Sequence, residues 1–393
     1  MLDDMEEALR LTRAGRTSEA TALIQTALGR SGTHAKDDRA NAMPRGRIEI
    51  DGDVVKPKSD RVKPKAEPAG DRTEPAFADV APKRRASMFG HRTADSAFLR
   101  PRAAVRARVK RSGAEPAIAK GARWEWQSHA GAGGSRRYRL YVPANASTAP
   151  MPLVLMLHGC TQNPDDFAAG TRILAAAEAR QFLIALPEQT NGANAMACWN
   201  WFDPNHQGMR GEPALLAGIV GDVASAESVD RSRIVAAGLS AGGAMAAILG
   251  EAYPDLFAGI GVHAGLPAGA ARDLPSAQAA MRQGPGRVVE RQLGAARPPR
   301  LFSLHGEADR TVSPRNADAL LDQLRPLAET TSEAVDGSAR VTRLHADGGR
   351  TIAEDWRVAG LGHAWSGGAA GASYTAPEGP DATGLMLDFL LDA

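Results

Sequence analysis

Four short runs in the chain are apolar almost without interruption: Leu153–Leu157, Phe182–Leu186, Arg233–Ala237 and Leu301–Leu304. A strand with one wet face alternates apolar and polar side chains. A strand covered on both faces has no such constraint and reads as a continuous apolar run. Helical spacing separates these runs. After Gly211, Pro213 sits in a predicted first turn, and Leu215, Leu216, Ile219, Val220 and Val223 fall on one helical face. Strand, helix, strand, helix predicts a doubly wound, mostly parallel α/β sheet. Upstream, Trp124–Ser128 and Arg137–Val142 alternate and flank a turn at Gly131 to Gly134, as an antiparallel pair does. Chemistry is expected at the carboxyl ends of the parallel strands.

The rest of the chain has different physics. Residues 1–29 read as a short helical hairpin, with Ala20, Leu23, Ile24, Ala27 and Leu28 on one face and Gly15 at the turn. Residues 30–118 form a basic, Pro-rich linker, as in Val55-Lys56-Pro57-Lys58, with too few large apolar side chains to offset the entropy of ordering. Residues 119–393 read as the folded domain. A formal net charge of only +2 argues against a nucleic-acid partner for the whole chain. No apolar run reaches the roughly 18 residues of a membrane span. The acidic start, Met1 to Glu7, lacks the basic and then apolar pattern of a secretory signal. A cytoplasmic location is therefore expected, with an extracellular one as the alternative. The basic arm would suit attachment to an anionic surface or polymer granule, although most charge runs are simply solvated. Cys160 and Cys198 are too few for a disulfide scaffold and lack zinc-ligand spacing, which predicts two buried thiols.

The segment Gly238-Leu239-Ser240-Ala241-Gly242-Gly243 has the G-x-S-x-G pattern of a nucleophile elbow. That pattern alone is weak in a Gly- and Ala-rich chain. Here a predicted strand runs into it and a predicted helix leaves it from Ala244, the context the turn requires. Glycines at 238 and 242 allow close backbone approach, and the Ser240 hydroxyl would sit at a helix N-terminus, where negative charge is favoured.

A serine needs a base to take its proton, and on this fold the chain order is Ser, then Asp or Glu, then His. Of the histidines after Ser240, His363 lies in the small-residue loop Gly360-Leu361-Gly362-His363-Ala364-Trp365 beyond a predicted strand at Ala353 to Val358. His345 has no such framing, and His263 and His305 at strand ends read as structural. Asp309, in His305-Gly306-Glu307-Ala308-Asp309, is the expected acid, with Glu307 the alternative. Two backbone donors should face the oxyanion. They are the N–H of Ala241 and, from Leu157-His158-Gly159-Cys160-Thr161-Gln162, that of Cys160 or Thr161, with His158 organising the loop.

The segments Leu157 to Gln162, Cys198-Trp199-Asn200-Trp201-Phe202, Gly238 to Gly243 and Gly362-His363-Ala364-Trp365-Ser366-Gly367-Gly368, taken in order, resemble the polyhydroxybutyrate (PHB) depolymerase-type esterase family of the α/β-hydrolase superfamily. The resemblance runs from about Trp124 to the C-terminus. It implies a serine esterase acting on polyhydroxyalkanoates, feruloyl or acetyl esters, with Ser240, Asp309 and His363 as the triad and no metal or organic cofactor. It also implies a pairing of Cys160 with Cys198, and an apolar cleft lined by Trp199, Trp201 and Trp365, for which core packing is the alternative. Two other readings are a serine peptidase on the same fold and a granule-binding protein with secondary hydrolase activity.

Overall fold

The computed structural model describes residues 114–131, 133–286 and 298–391. The hairpin expected over 1–29 and all but the end of the linker expected over 30–118 lie outside the described residues.

Ten strands form one sheet: β1 (Arg123–Gly131), β2 (Gly134–Val142), β3 (Met151–Leu157), β4 (Leu183–Pro187), β5 (Val229–Leu239), β6 (Gly259–His263), β7 (Arg300–Gly306), β8 (Thr330–Asp336), β9 (Ala339–His345) and β10 (Thr351–Val358). Their order is β1-β2-β4-β3-β5-β6-β7-β10-β9-β8. The six central strands from β4 to β10 pair in parallel. Antiparallel strands extend both edges. All four apolar runs are central strands. The predicted antiparallel pair is β1–β2, with Gly131 opposite Gly134 at its turn.

Among the described residues, seven α-helices flank the sheet: α1 (Pro164–Thr171), α2 (Ile173–Arg180), α3 (Glu212–Ala226), α4 (Ala241–Ala252), α5 (Leu274–Gln283), α6 (Arg315–Asp322) and α7 (Ala382–Leu391). They divide between the two faces. Leu153, Leu155 and Leu157 of β3 pack with Leu216 and Ile219 of α3 and Met245 of α4. The intervening Val154 and Met156 pack with Phe167 of α1, Leu174 of α2 and Met386 of α7. Consecutive side chains of one strand thus enter opposite cores, which is why β3 tolerates no polar residue. Each large side chain so buried contributes about 1.5–3 kcal/mol.

The connections fix where loops open. From β3 the chain moves to β4 on one side, then returns through α3 to β5 on the other side of β3. Winding reverses between β3 and β5, and the loops leaving them part there into a crevice at their carboxyl ends.

Strand β8 was not legible in the sequence. Every residue of β8 is exposed, so no apolar alternation marks it.

Candidate active site

Ser240 joins the carboxyl end of β5 to the first turn of α4. Its backbone has φ 57° and ψ −118°, a strained conformation for a non-glycine residue. The turn closes only because its neighbours lack side chains. A Cβ on Gly238 would lie 2.5 Å from the Leu157 carbonyl oxygen, and one on Gly242 would lie 2.0 Å from the same atom. The two glycines therefore hold the elbow against the end of β3. The Ser240 amide donates to the His263 carbonyl at 2.9 Å, which ties the elbow to the end of β6.

Asp309 and His363 come together from loops after β7 and β10. His363 Nδ1 lies 2.7 Å from Asp309 Oδ2. Asp309 Oδ1 accepts from the amides of Thr311 and Val312 at 2.8 and 2.9 Å. The carboxylate is fully buried, and His305 Nε2 stands 3.3 Å from Oδ2. Burial alone would raise its pKa. Hydrogen bonds from His305 and His363, the His363 charge and the Val312 amide outweigh that and hold Asp309 well below the usual carboxylate range. An ionised partner on Nδ1 leaves Nε2 as the proton-accepting nitrogen of a neutral His363 ring. The alternative acid, Glu307, is half-exposed and pairs with Arg340 at 3.5 Å. His345 lies on the far edge strands, bonded to Ser332 and Thr351.

Ser240 stands on the same rim as this pair, linked through His263, whose ring stacks on Trp365 at 4.7 Å. The Ser240 hydroxyl makes no hydrogen bond to His363 among the described residues. In serine hydrolases that contact often tightens only when substrate binds.

The loop after β3 is built from its own polar groups. The Gly159 amide donates to Gln162 Oε1 at 2.8 Å, and those of Thr161 and Gln162 donate to the carbonyls of Met196 and Gly159 at 2.7 and 3.3 Å. The Cys160 N–H alone in this turn is uncommitted among the described residues. The Ala241 N–H, at the first position of α4, has no intrahelical acceptor. Of the two alternatives for the second donor, Thr161 is ruled out because its amide is already used. His158 holds the loop from below: Nδ1 donates to the Gly159 carbonyl at 2.8 Å and Nε2 accepts from the Gln189 amide at 3.1 Å. Burial pushes this imidazole down to about 4, consistent with one neutral tautomer.

Cys160 and Cys198 are joined by a disulfide. This replaces the two buried thiols expected from composition and agrees with the pairing the resemblance implied. The Cys198 side of the bridge is anchored by a buried polar cluster absent from the sequence reading. Gln189 Nε2 donates to the Cys198 carbonyl at 2.8 Å. Glu212, at the start of α3, accepts from Gln189 and from the Asn200 backbone and side chain at 2.7 and 2.8 Å.

The tryptophans require a correction. Trp199 is fully buried, with its indole N–H bonded to the His158 carbonyl at 3.0 Å. Trp365 is 2% exposed, bonded to Thr383 at 3.1 Å and set edge-on to Phe167. Trp201 is 5% exposed and packs edge-on against Phe202. All three build the walls of the core, since an aromatic beside a catalytic motif gains more by burial than by lining a wet cleft. The exposed aromatic beside the site is Tyr374, which the sequence reading missed. Its ring stands edge-on to His363 at 6.3 Å, and its hydroxyl lies 3.3 Å from Thr161 Oγ1. Its only sequence signal is a place among the glycines and small residues after His363.

Among the described residues, no group of three or more His, Cys, Asp or Glu is placed to hold a metal ion. A hydroxyl on a strained turn, an imidazole oriented by a buried carboxylate and two uncommitted amides suit acyl transfer.

Residues 136–343, more than half of the chain, match the family described as esterase PHB depolymerase. Poly(3-hydroxyalkanoate) depolymerase C of Paucimonas lemoignei is 31% identical over 238 residues, 56% of this chain and 56% of that protein. Poly(3-hydroxybutyrate) depolymerase of Ralstonia pickettii is 33% identical over 155 residues, 37% of this chain and 32% of that protein. The chain thus spans about half the length, or less, of these two relatives. Feruloyl esterase B of Neurospora crassa is 28% identical over 247 residues, 58% of this chain and 82% of that protein. In fold, the acetyl xylan esterase from Aspergillus awamori superposes with a TM-score of 0.52 at 20% identity, over 61% of this chain and 94% of that one. The architecture is the α/β-hydrolase fold, and the chain belongs to the esterase PHB depolymerase family.

Proposed function

We propose that the protein is a carboxylic ester hydrolase working through an acyl-enzyme on Ser240. The observation that carries this reading is the 2.7 Å contact between His363 Nδ1 and buried Asp309, on the rim that also bears the elbow. His363 Nε2 takes the Ser240 proton as the hydroxyl oxygen attacks the ester carbonyl. Asp309 stabilises the imidazolium that forms, and the Cys160 and Ala241 amides receive the oxyanion. His363 then returns the proton to the departing alcohol. Water repeats the cycle to free the acid and restore Ser240.

The family and its depolymerase members favour polyhydroxybutyrate or its oligomers as substrate. Feruloyl or acetyl ester hydrolysis is the second reading, favoured by the 82% of the feruloyl esterase that this chain covers. Attachment of the basic arm to a polymer granule belongs to the first reading. No helix among the described residues is long and apolar enough to cross a membrane. The Cys160–Cys198 bond is typical of oxidising compartments and favours the extracellular alternative over the cytoplasmic one.

The test is hydrolysis of a short-chain p-nitrophenyl ester, hydroxybutyrate oligomers and a feruloyl ester by the wild type and Ser240→Ala. Loss of activity in a folded Ser240→Ala supports the nucleophile, and the preferred ester decides between the substrate readings. A folded wild type inactive on every ester overturns the proposal.

A further inference from the structure

Cys160, the proposed oxyanion donor, is held from both sides and through its side chain. On its amino side the Gly159 carbonyl accepts from His158 Nδ1 at 2.8 Å and from the Gln162 amide at 3.3 Å. Its sulfur is bonded to Cys198. On its carboxyl side, the Thr161 hydroxyl donates to the Cys160 carbonyl at 2.6 Å. Thr161 has φ 66°, a left-handed conformation that a β-branched residue adopts only where its surroundings enforce it. Its amide is fixed on the Met196 carbonyl at 2.7 Å. The Thr161 hydroxyl has one proton, and Cys160 takes it. The Tyr374 hydroxyl, 3.3 Å from Thr161 Oγ1, is therefore the donor of their long hydrogen bond. A chain of hydroxyls runs from Tyr374 through Thr161 to the Cys160 carbonyl.

Tyr374 belongs to the loop of the base. The Trp365 amide, two residues beyond His363, donates to the Tyr374 carbonyl at 2.7 Å, and Trp365–Ser366 pairs in parallel with Thr375–Ala376. Tyr374 itself has φ 52°, so two strained residues face each other across the site. Its neighbour Ser373 is fastened to the opposite loop. Gln162 Nε2 donates to the Ser373 carbonyl and hydroxyl, each at 3.1 Å, and buried Asp166 accepts from that hydroxyl. Gln162 Oε1 meanwhile holds the Gly159 amide at 2.8 Å. Those contacts join the loops without the phenol, which is 45% exposed. Packing of the ring therefore does little to offset the strain at Tyr374, whereas its hydroxyl completes the chain to Cys160.

We infer that Tyr374 is a positioning residue for the oxyanion hole. Through Thr161 it fixes the carboxyl side of Cys160, and so couples the loop of His363 to the loop of the oxyanion donor. The inference rests on the Ser240 mechanism proposed above. An amide stabilises an oxyanion only if it already points at the developing charge. A loosened Cys160 still admits the ester, so the loss falls on the transition state and not on binding.

The experiment is steady-state hydrolysis of p-nitrophenyl butyrate by the full chain, with Ser240→Ala as the blank. Tyr374→Phe removes only the hydroxyl and should lower kcat roughly 3- to 10-fold, the range of one neutral hydrogen bond, with KM unchanged. Affinity for an alkyl trifluoromethyl ketone should fall by the same factor. Ser240 Oγ adds to its carbonyl carbon, the proton passes to His363, and the ketone oxygen becomes the anion. Thr161→Ser keeps the hydroxyl and should stay nearer the wild type than Thr161→Ala. In the Thr161→Ala background, Tyr374→Phe should have no further effect, because the chain is already cut. If Thr161→Ala does not fold, the kcat and ketone affinity of Tyr374→Phe decide. A Tyr374→Phe kcat equal to wild type, a change in KM alone, or an equal effect in both backgrounds overturns the role of Tyr374 and leaves the ester hydrolase standing. A wild type no more active than Ser240→Ala overturns both.

Discussion

Asp309 divides its two oxygens between different tasks. Oδ1 takes the backbone amides of Thr311 and Val312, which fixes the carboxylate plane. Oδ2 faces His363 and His305. Asp309→Asn preserves the first set of contacts, since an amide oxygen accepts as well. An amide nitrogen turned toward His363 instead favours the wrong tautomer. On the proposed mechanism kcat falls by about 10³–10⁴ with little change in KM or in unfolding midpoint. A kcat within a few-fold of wild type would remove Asp309 from the relay. Glu307→Gln, with its half-exposed carboxyl directed to Arg340, should leave kcat unchanged. Spacing could name both acids. The choice between them was made by which one the turn after β7 buries.

At the scale of the element, the β5–α4 elbow decides whether a site exists at all. Gly242→Ala would place a Cβ 2.0 Å from the Leu157 carbonyl oxygen, where neither backbone can yield without opening the sheet. We expect a loss of about 3 kcal/mol or more in denaturant unfolding, together with loss of activity. Gly221 is the control. It lies within α3, where an added Cβ would meet nothing within 4 Å, so Gly221→Ala should stabilise by about 0.5–1 kcal/mol. If both substitutions cost the same, the elbow is not the close-packed turn described. The elbow was fully legible in the sequence because both its requirements, small flanking residues and a strand-to-helix change of period, are local. Strand β8 was not, because a strand exposed along its whole length has no buried face to impose a pattern.

Across the whole molecule, two devices set the conditions under which the fold holds. The disulfide closes a sequence separation of 38 residues, a loop worth about 4 kcal/mol in the chain-entropy account. The Cys160→Ser/Cys198→Ser double variant should lower the unfolding free energy by an amount of that order and loosen the Cys160 amide, so that kcat falls with stability. Equal denaturant midpoints with and without a reductant would show that the bridge contributes nothing. The second device is acid sensitivity. Burial, reinforced by the charges on His305 and His363, pushes His263 down to about 3, while burial pushes His158 to about 4. In the unfolded chain both titrate near 6.5. Above that pH neither state binds the protons and stability is flat. As pH falls from about 6.5 toward 4, the unfolded chain takes up two protons that the fold refuses. Stability then drops by about 1.4 kcal/mol per histidine per pH unit. Below about 4, Asp309 adds to the loss, because its depressed pKa gives stability that is present above the ordinary carboxylate range and disappears as it protonates. Urea midpoints unchanged between about pH 7 and 5 would show that the two imidazoles are solvated.

The sequence by itself determined the parallel sheet, the elbow and the place of His363 in a small-residue loop after a strand, because each is written in local periodicity or in residues close together in the chain. Only the tertiary structure decided which of two acids meets His363, which of two amides stays uncommitted, and that Cys160 and Cys198 are bonded. The same holds for the tryptophans, which proved to be walls of the core, and for Tyr374, which stands over the site. These outcomes depend on the distance between loops that leave different strands, and the winding of the sheet sets that distance.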